Sequence, residues 1–202
     1  MKMPQIVDFI DPLKFYRGSS DSQFENKNPF VLKRLKQEEP FITKSRVDLS
    51  SLYLKNEDLR LLAPLILLTE TTDLVIDSAH VTGEGLLLFS KICKHFGLFK
   101  DISSSTQRVA LTNCNELSEQ GVVALMGVNP FKEISIVDLS NSPLGEKSDN
   151  SLIKMINVSL VESLDLSSSQ VCPSLALTSK MLVKLNLAHN KLSAHFLMET
   201  LH

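Results

Sequence analysis

The sequence predicts an α/β chain in which short parallel strands alternate with helices to build a right-handed β-α superhelix. Three observations predict it. An apolar–x–apolar triplet recurs six times, at Val47-Asp48-Leu49, Leu74-Val75-Ile76, Val109-Ala110-Leu111, Val137-Asp138-Leu139, Leu164-Asp165-Leu166 and Leu185-Asn186-Leu187. Successive triplets begin 27, 35, 28, 27 and 21 residues apart, so most intervals hold a returning helix and the last only a short helical turn. Each triplet leads through a small or polar turn to a further apolar anchor, in order Leu54, Val81, Leu117, Leu144, Val171 and Leu192.

The spacing has a physical reason. Apolar residues at i and i+2 point to one face of a strand, into a core. A parallel neighbour can be reached only through a crossover of about a dozen residues, normally a helix. The bend leaving each strand is buried and has no ladder, so a side chain must satisfy its main-chain groups. That turn position reads Leu52, Ala79, Cys114, Ser142, Ser169 and Asn190, so polar satisfaction improves along the chain and the first two units are degenerate.

The last copy, Leu182 to Leu192, has Leu182, Leu185, Leu187, Asn190 and Leu192 at the fixed places of L-x-x-L-x-L-x-x-N-x-L. Ile134 to Leu144 and Val161 to Val171 differ only in Ser142 and Ser169 at the Asn position, and Val109 to Leu117 has the cysteine form with Cys114. Over about residues 44–192 the chain resembles the leucine-rich-repeat family, with a period closest to its ribonuclease-inhibitor-like members. The resemblance implies a solenoid with the parallel sheet on a concave, partner-binding face.

Taken in order, residues 1–43 read as an N-terminal capping and linker segment. It comprises an apolar-faced stretch over 1–16, a Ser-, Asn- and charge-rich linker over 17–29 and a short helix over 30–39. The alternative is a partner-docking segment like the ligase-recruiting module of F-box proteins. Residues 44–202 form the repeat domain. Helices are predicted over Asn56–Leu68, Gly83–Phe96, Ser118–Gly127 and Asp149–Ile156, with Glu57, Glu84 and Glu119 near helix starts, where the dipole favours them. Residues 86–99 are apolar over more than one stripe, which predicts packing on neighbouring helices or a contact patch. After Leu192 only one short helix follows, a weak polar cap for a solenoid. A covered C-terminal edge is therefore expected, through self-association or another chain, unless the sequence is truncated.

Composition narrows the function. The 202 residues are 43% apolar and 22% charged with a net charge of −2, so no global basic field draws nucleic acid or an anionic membrane. The charge is uneven: residues 1–46 hold nine Lys/Arg against six Asp/Glu, and the remainder twelve against seventeen. Cys93, Cys114 and Cys172 fit neither a disulfide scaffold nor a metal spacing and read as reduced, buried thiols of a cytoplasmic protein. The longest apolar run, Leu59 to Leu68, contains Arg60 and Pro64 and is too short for a bilayer. No glycine-rich phosphate loop or HExxH spacing appears, so no catalytic residue, cofactor or metal is assigned.

What remains is the outward side of the strands. One column holds Arg46, Asp73, Arg108, Ile136, Ser163 and Lys184; the next holds Asp48, Val75, Ala110, Asp138, Asp165 and Asn186; a third holds Ser50, Asp77, Thr112, Ser140, Ser167 and Ala188. The candidate binding residues are Arg46, Asp48, Asp73, Asp77, Arg108, Asp138, Asp165 and Asn186. They predict a non-catalytic adaptor or inhibitor whose protein partner presents Lys or Arg, without nucleic acid or membrane. The plainer reading is that an Asp in L-D-L-S is solvated or bonds a neighbouring strand. Two other readings stay open: a substrate receptor of a complex such as a ubiquitin ligase, and a bacterial effector acting in host cytoplasm.

Overall fold

The computed structural model describes residues 46–50, 52–59, 63, 72–97, 106–128, 131, 133–144, 150–171 and 177–192, together with 194, 196 and 198. Among the described residues six strands appear in chain order: β1 (Arg46–Asp48), β2 (Asp73–Asp77), β3 (Arg108–Thr112), β4 (Ile136–Asp138), β5 (Ser163–Asp165) and β6 (Lys184–Asn186). They form one sheet in the order β1-β2-β3-β4-β5-β6, and every neighbouring pair is parallel. Each predicted triplet thus begins or centres on a strand. Between strands lie helices α1 (Gly83–Gly97), α2 (Glu119–Met126) and α3 (Ser151–Val158). The predicted helix from Asn56 is seen over 56–59 and at 63; its remaining residues lie outside the described set. So do the N-terminal segment 1–43, Cys172 and the side chain of Phe96.

The triplet pattern produces the core directly. Val47, Leu49, Leu74, Ile76, Val109, Leu111, Val137, Leu139, Leu164 and Leu166 all lie at 2% exposure or less, on the side of the sheet that meets the anchors Leu54, Val81, Leu117, Leu144 and Val171. Burying each such side chain contributes about 1.5–3 kcal/mol. From the broad apolar stretch after residue 86, Leu86, Phe89 and Cys93 enter this core, and the Phe89 ring meets Phe131 at 6.1 Å between centroids. Leu88 stays 41% exposed.

The helices are tied to one another by caps that reach across units. The Asn56 side chain accepts from Thr82 N at 3.0 Å and donates to Thr82 Oγ1, at the entrance to α1. Glycines keep the next approach close. Gly83 N donates to Glu116 O at 3.1 Å, and a Cβ on Gly121 would stand 2.8 Å from Gly83 O. Ser118 caps α2 by accepting from Gly121 N at 3.2 Å. Glu119 is buried; it accepts from Ser151 Oγ at 3.2 Å and reaches Leu152 N at 3.5 Å, at the start of α3. It therefore serves the next helix as well as the dipole of its own. The α3 boundary differs from the predicted one by two residues because Asn150, at φ 58°, is left-handed and holds the chain out of the helix until Ser151.

The turns after the strands are satisfied as the pattern requires, with one displacement. Ser142 Oγ donates to Leu111 O at 2.7 Å, Ser169 Oγ to Leu139 O, and Asn190 Nδ2 to Leu166 O at 2.6 Å, so each ties its own bend to the preceding strand. After β2 the turn residue is Ala79, yet Ser78 Oγ donates to Leu54 O at 2.7 Å. This unit is satisfied from one position earlier, and only its one-letter pattern is degenerate. Asn113, Asn141, Ser168 and His189, each just before a turn residue, have φ of 53–59°. Asn tolerates the left-handed region better than most residues. Among the described residues every buried side-chain nitrogen and oxygen has a hydrogen-bond partner. No helix among them is long and apolar enough to cross a membrane.

Candidate functional site

Strand register brings the eight candidate residues onto one side of the sheet. In the first column Arg46, Asp73, Arg108, Ile136, Ser163 and Lys184 stand on successive strands in direct register. In the second, Asp48, Val75, Ala110, Asp138, Asp165 and Asn186 do the same. The acidic stripe is therefore in two parts: Asp48 is separated by Val75 and Ala110 from the contiguous Asp138, Asp165 and Asn186. Neighbouring strands lie about 4.8 Å apart, which puts Asp48 about 14 Å from Asp138. Asp77 belongs to the third column, beside Thr112.

Several of these carboxylates are engaged by the fold itself. Asp48 Oδ1 accepts from Ser50 N at 3.0 Å and from Ser50 Oγ, and its Oδ2 accepts from Arg46 Nη2 at 2.7 Å. Asp165 Oδ1 accepts from Ser167 N at 2.9 Å and Ser167 Oγ at 2.7 Å, while Oδ2 takes Asn186 Nδ2 at 2.9 Å. Asn186 Oδ1 in turn accepts from Ala188 N at 3.1 Å. Asp77 Oδ2 accepts from Thr112 Oγ1 and Asn113 Nδ2 on the next strand. The Asp-x-Ser unit thus closes the turn after the strand, as short polar side chains do in Asx turns.

These bonds set the charge. At Asp48 partial burial pushes the carboxyl up, but the Ser50 hydroxyl and amide and the Arg46 guanidinium outweigh it and hold the group below the ordinary carboxylate value. At Asp165 burial is likewise outweighed, by the Ser167 hydroxyl and amide and by the Asn186 amide. Both are anions at neutral pH.

Asp138 is less engaged. Its Oδ1 accepts from Ser140 N at 3.1 Å, and among the described residues nothing bonds Oδ2. It stands directly beside Asp165, and like charges opposite one another on a sheet repel. In the first column Asp73 lies between Arg46 and Arg108, with no ion pair joining it to Arg108 among the described residues. Ile136 follows Arg108, 39% exposed. It was not singled out with the polar residues, although an apolar residue at an outward strand position is a legible signal. The outward surface therefore has a pair of adjoining carboxylates, Asp138 and Asp165, near Ile136 and Arg108, with Arg46, Asp48 and Asp73 set apart on β1 and β2, rather than a continuous acidic band.

Other chemistry-bearing groups lie elsewhere. Cys93 and Cys114 are free and buried; burial pushes their thiols up to about 12 and about 11. His189 is exposed at the turn after β6. Among the described residues no three His, Cys, Asp or Glu side chains are grouped so as to hold a metal ion. Neither a protein-family model nor a curated relative matches the sequence.

Proposed function

We propose that the chain is a leucine-rich-repeat-type β-α superhelix that acts as a non-catalytic protein-binding module, docking its partner on the outward side of the sheet. The period of the triplets, the sequential order of six parallel strands and the bonding of successive turns support the superhelix. The binding reading rests above all on one observation. Asp138 and Asp165 are side by side in register, and Asp138 keeps one oxygen unbonded among the described residues. A Lys or Arg of the partner seated between them relieves their repulsion and gains a charge-assisted bond to Asp138 Oδ2. Ile136 and Arg108 in the adjoining column add the apolar and guanidinium contacts that tend to dominate interface energetics. The buried thiols support the non-catalytic reading, since groups held as neutral thiols are poor nucleophiles.

The test is capture from native lysate on the whole chain, wild type beside Asp138→Lys. Asp138 is chosen because a single bond, from Ser140 N, engages it among the described residues, whereas Asp48 and Asp165 each accept three, so its replacement perturbs the turn least. A protein retained by wild type at low salt and lost from a variant with an unchanged melting temperature supports the proposal. Equal retention by both moves the binding surface away from this face.

A further inference from the structure

Resting on the docking reading above and going one step past it, we infer that the partner's docked element is an amphipathic helix laid across β3–β5. It carries an acidic residue over Arg108, an apolar residue over Ile136 and a Lys or Arg over Asp138 and Asp165. The inference starts from which outward groups the fold already engages. On β1 the Arg46 guanidinium bonds Asp48 at 2.7 Å, and on β2 Asp77 accepts from Thr112 Oγ1 and Asn113 Nδ2. The three D-x-S turns divide in the same way. Ser50 Oγ donates to Asp48 and Ser167 Oγ to Asp165, whereas at β4 only the main-chain Ser140 N reaches Asp138. Among the described residues nothing bonds Ser140 Oγ, Asp138 Oδ2 or the Arg108 guanidinium, and Asp73, in register with Arg108, forms no ion pair with it. Open groups of both signs therefore meet around Ile136, which is itself 39% exposed.

Spacing selects the element that fits. β3, β4 and β5 each have a parallel neighbour on both sides, so their main-chain groups are used and no strand can be added there. An extended segment crossing the sheet repeats its side chains about every 6.6 Å against a strand spacing of about 4.8 Å, and is about 3.6 Å out of step two strands on. A helix repeats about every 5.4 Å and is out by only about 1.2 Å over the same span. Its diameter of about 10–12 Å also covers two outward positions along β4, which lie about 6.6 Å apart at Ile136 and Asp138. Charge selects what the helix carries. Arg108 is in register with Ile136, and Asp138 with Asp165. The complement is an acid, an apolar residue one turn on and a base within the next turn, at i, i+4 and i+7 on one stripe. A uniformly basic partner would instead set a cation against Arg108, and like charges across an interface oppose binding.

The probe is an alanine-based peptide of about 20 residues, long enough to hold a helix in water, with Glu, Leu and Lys at i, i+4 and i+7. It is titrated into the isotope-labelled full chain and followed by amide shifts in NMR spectra, which are expected to cluster on β3–β5. Arg108→Glu, at unchanged melting temperature, is expected to weaken this peptide about fivefold or more. The same variant should strengthen, by a similar factor, a peptide in which Lys replaces the Glu. A peptide interrupted by proline beside its Leu is expected to produce no shifts, because proline breaks the helix. Absence of binding by the helical peptide overturns the inference. So does undiminished binding by the proline peptide, or an Arg108→Glu chain that treats the two charged peptides alike. Asp138→Lys then separates the two readings. Where it still releases the protein captured from lysate, the docking surface stands and only the helix is wrong; where it does not, the docking surface falls as well.

Discussion

Ser142 is the residue whose loss should reveal most about how the units are joined. Its side chain is fully buried, and its hydroxyl serves two main-chain groups of the preceding unit, in β3 and the turn after it: it donates to Leu111 O at 2.7 Å and accepts from Cys114 N at 3.1 Å. Ser142→Ala keeps the volume nearly constant and leaves both groups buried without a partner. Each orphaned group costs about 1–3 kcal/mol, so the expected destabilisation is about 2–6 kcal/mol. That is a large part of the roughly 5–15 kcal/mol that holds a domain together. Ser169→Ala should cost less, because Ser169 Oγ donates to Leu139 O, whereas Leu144 N finds the Ser169 main-chain carbonyl without it. Ser142→Asn supplies the remaining comparison. Asn190 makes the equivalent bond to Leu166 O but accepts from Val171 N, two places further along its turn than Cys114 N, so an amide at 142 should recover the Leu111 O bond and part of the stability lost in the alanine variant. Urea unfolding followed by circular dichroism measures all three, with equal slopes required for the comparison. Ser142→Ala within about 0.5 kcal/mol of wild type, the range of an ordinary surface change, would refute the reasoning.

Two further outcomes follow from the packing and the charges. In Gly121→Ala the new Cβ meets the Gly83 backbone at 2.8–2.9 Å, so α1 and α2 must separate; overpacking of this kind costs about 1–3 kcal/mol, a fall in Tm of roughly 2–12 °C at this length, measured by thermal melting. Asp165 has a folded-state pKa below 3.8, so its contribution to stability is present above that value and is lost as pH falls through the folded pKa. Urea midpoints taken from pH 7 downward should therefore drop less steeply at the acid end in Asp165→Asn than in wild type, and parallel curves would remove Asp165 from the account.

Much of this architecture could be read from the triplets. Apolar residues at i and i+2 gave every strand its place, and because the columns count from those triplets, Arg46 through Lys184 and Asp48 through Asn186 fall in the register expected of them. Gly83 and Ser118 likewise marked the starts of α1 and α2. Relations between units were harder to read, because they depend on distances across the fold. Nothing local pairs Asn56 with Thr82 or sends Glu119 to α3; Glu119 at a helix start suggests only a dipole contact. The turn after β2 looked unsatisfied because its hydroxyl, on Ser78, stands one place ahead of Ala79. The candidate surface was legible as a list of residues but not as a chemistry. D-x-S reads equally as a free acidic stripe and as a closed turn, and only the Ser50 and Ser167 bonds to Asp48 and Asp165 distinguish which carboxylates are engaged.

The central claim is that one side of the sheet receives the partner, and a pair of charge reversals on opposite sides tests it most directly. Asp138→Lys alters the outward column of the sheet, whereas Lys154→Glu alters an exposed position on α3. The dissociation constant of the captured partner would be measured for both, on samples of equal thermal stability. The account predicts a weakening of about tenfold or more for Asp138→Lys, which is about 1.4 kcal/mol, and less than about twofold for Lys154→Glu. A partner that is indifferent to Asp138→Lys and weakened by Lys154→Glu would contradict it and place binding on the helices.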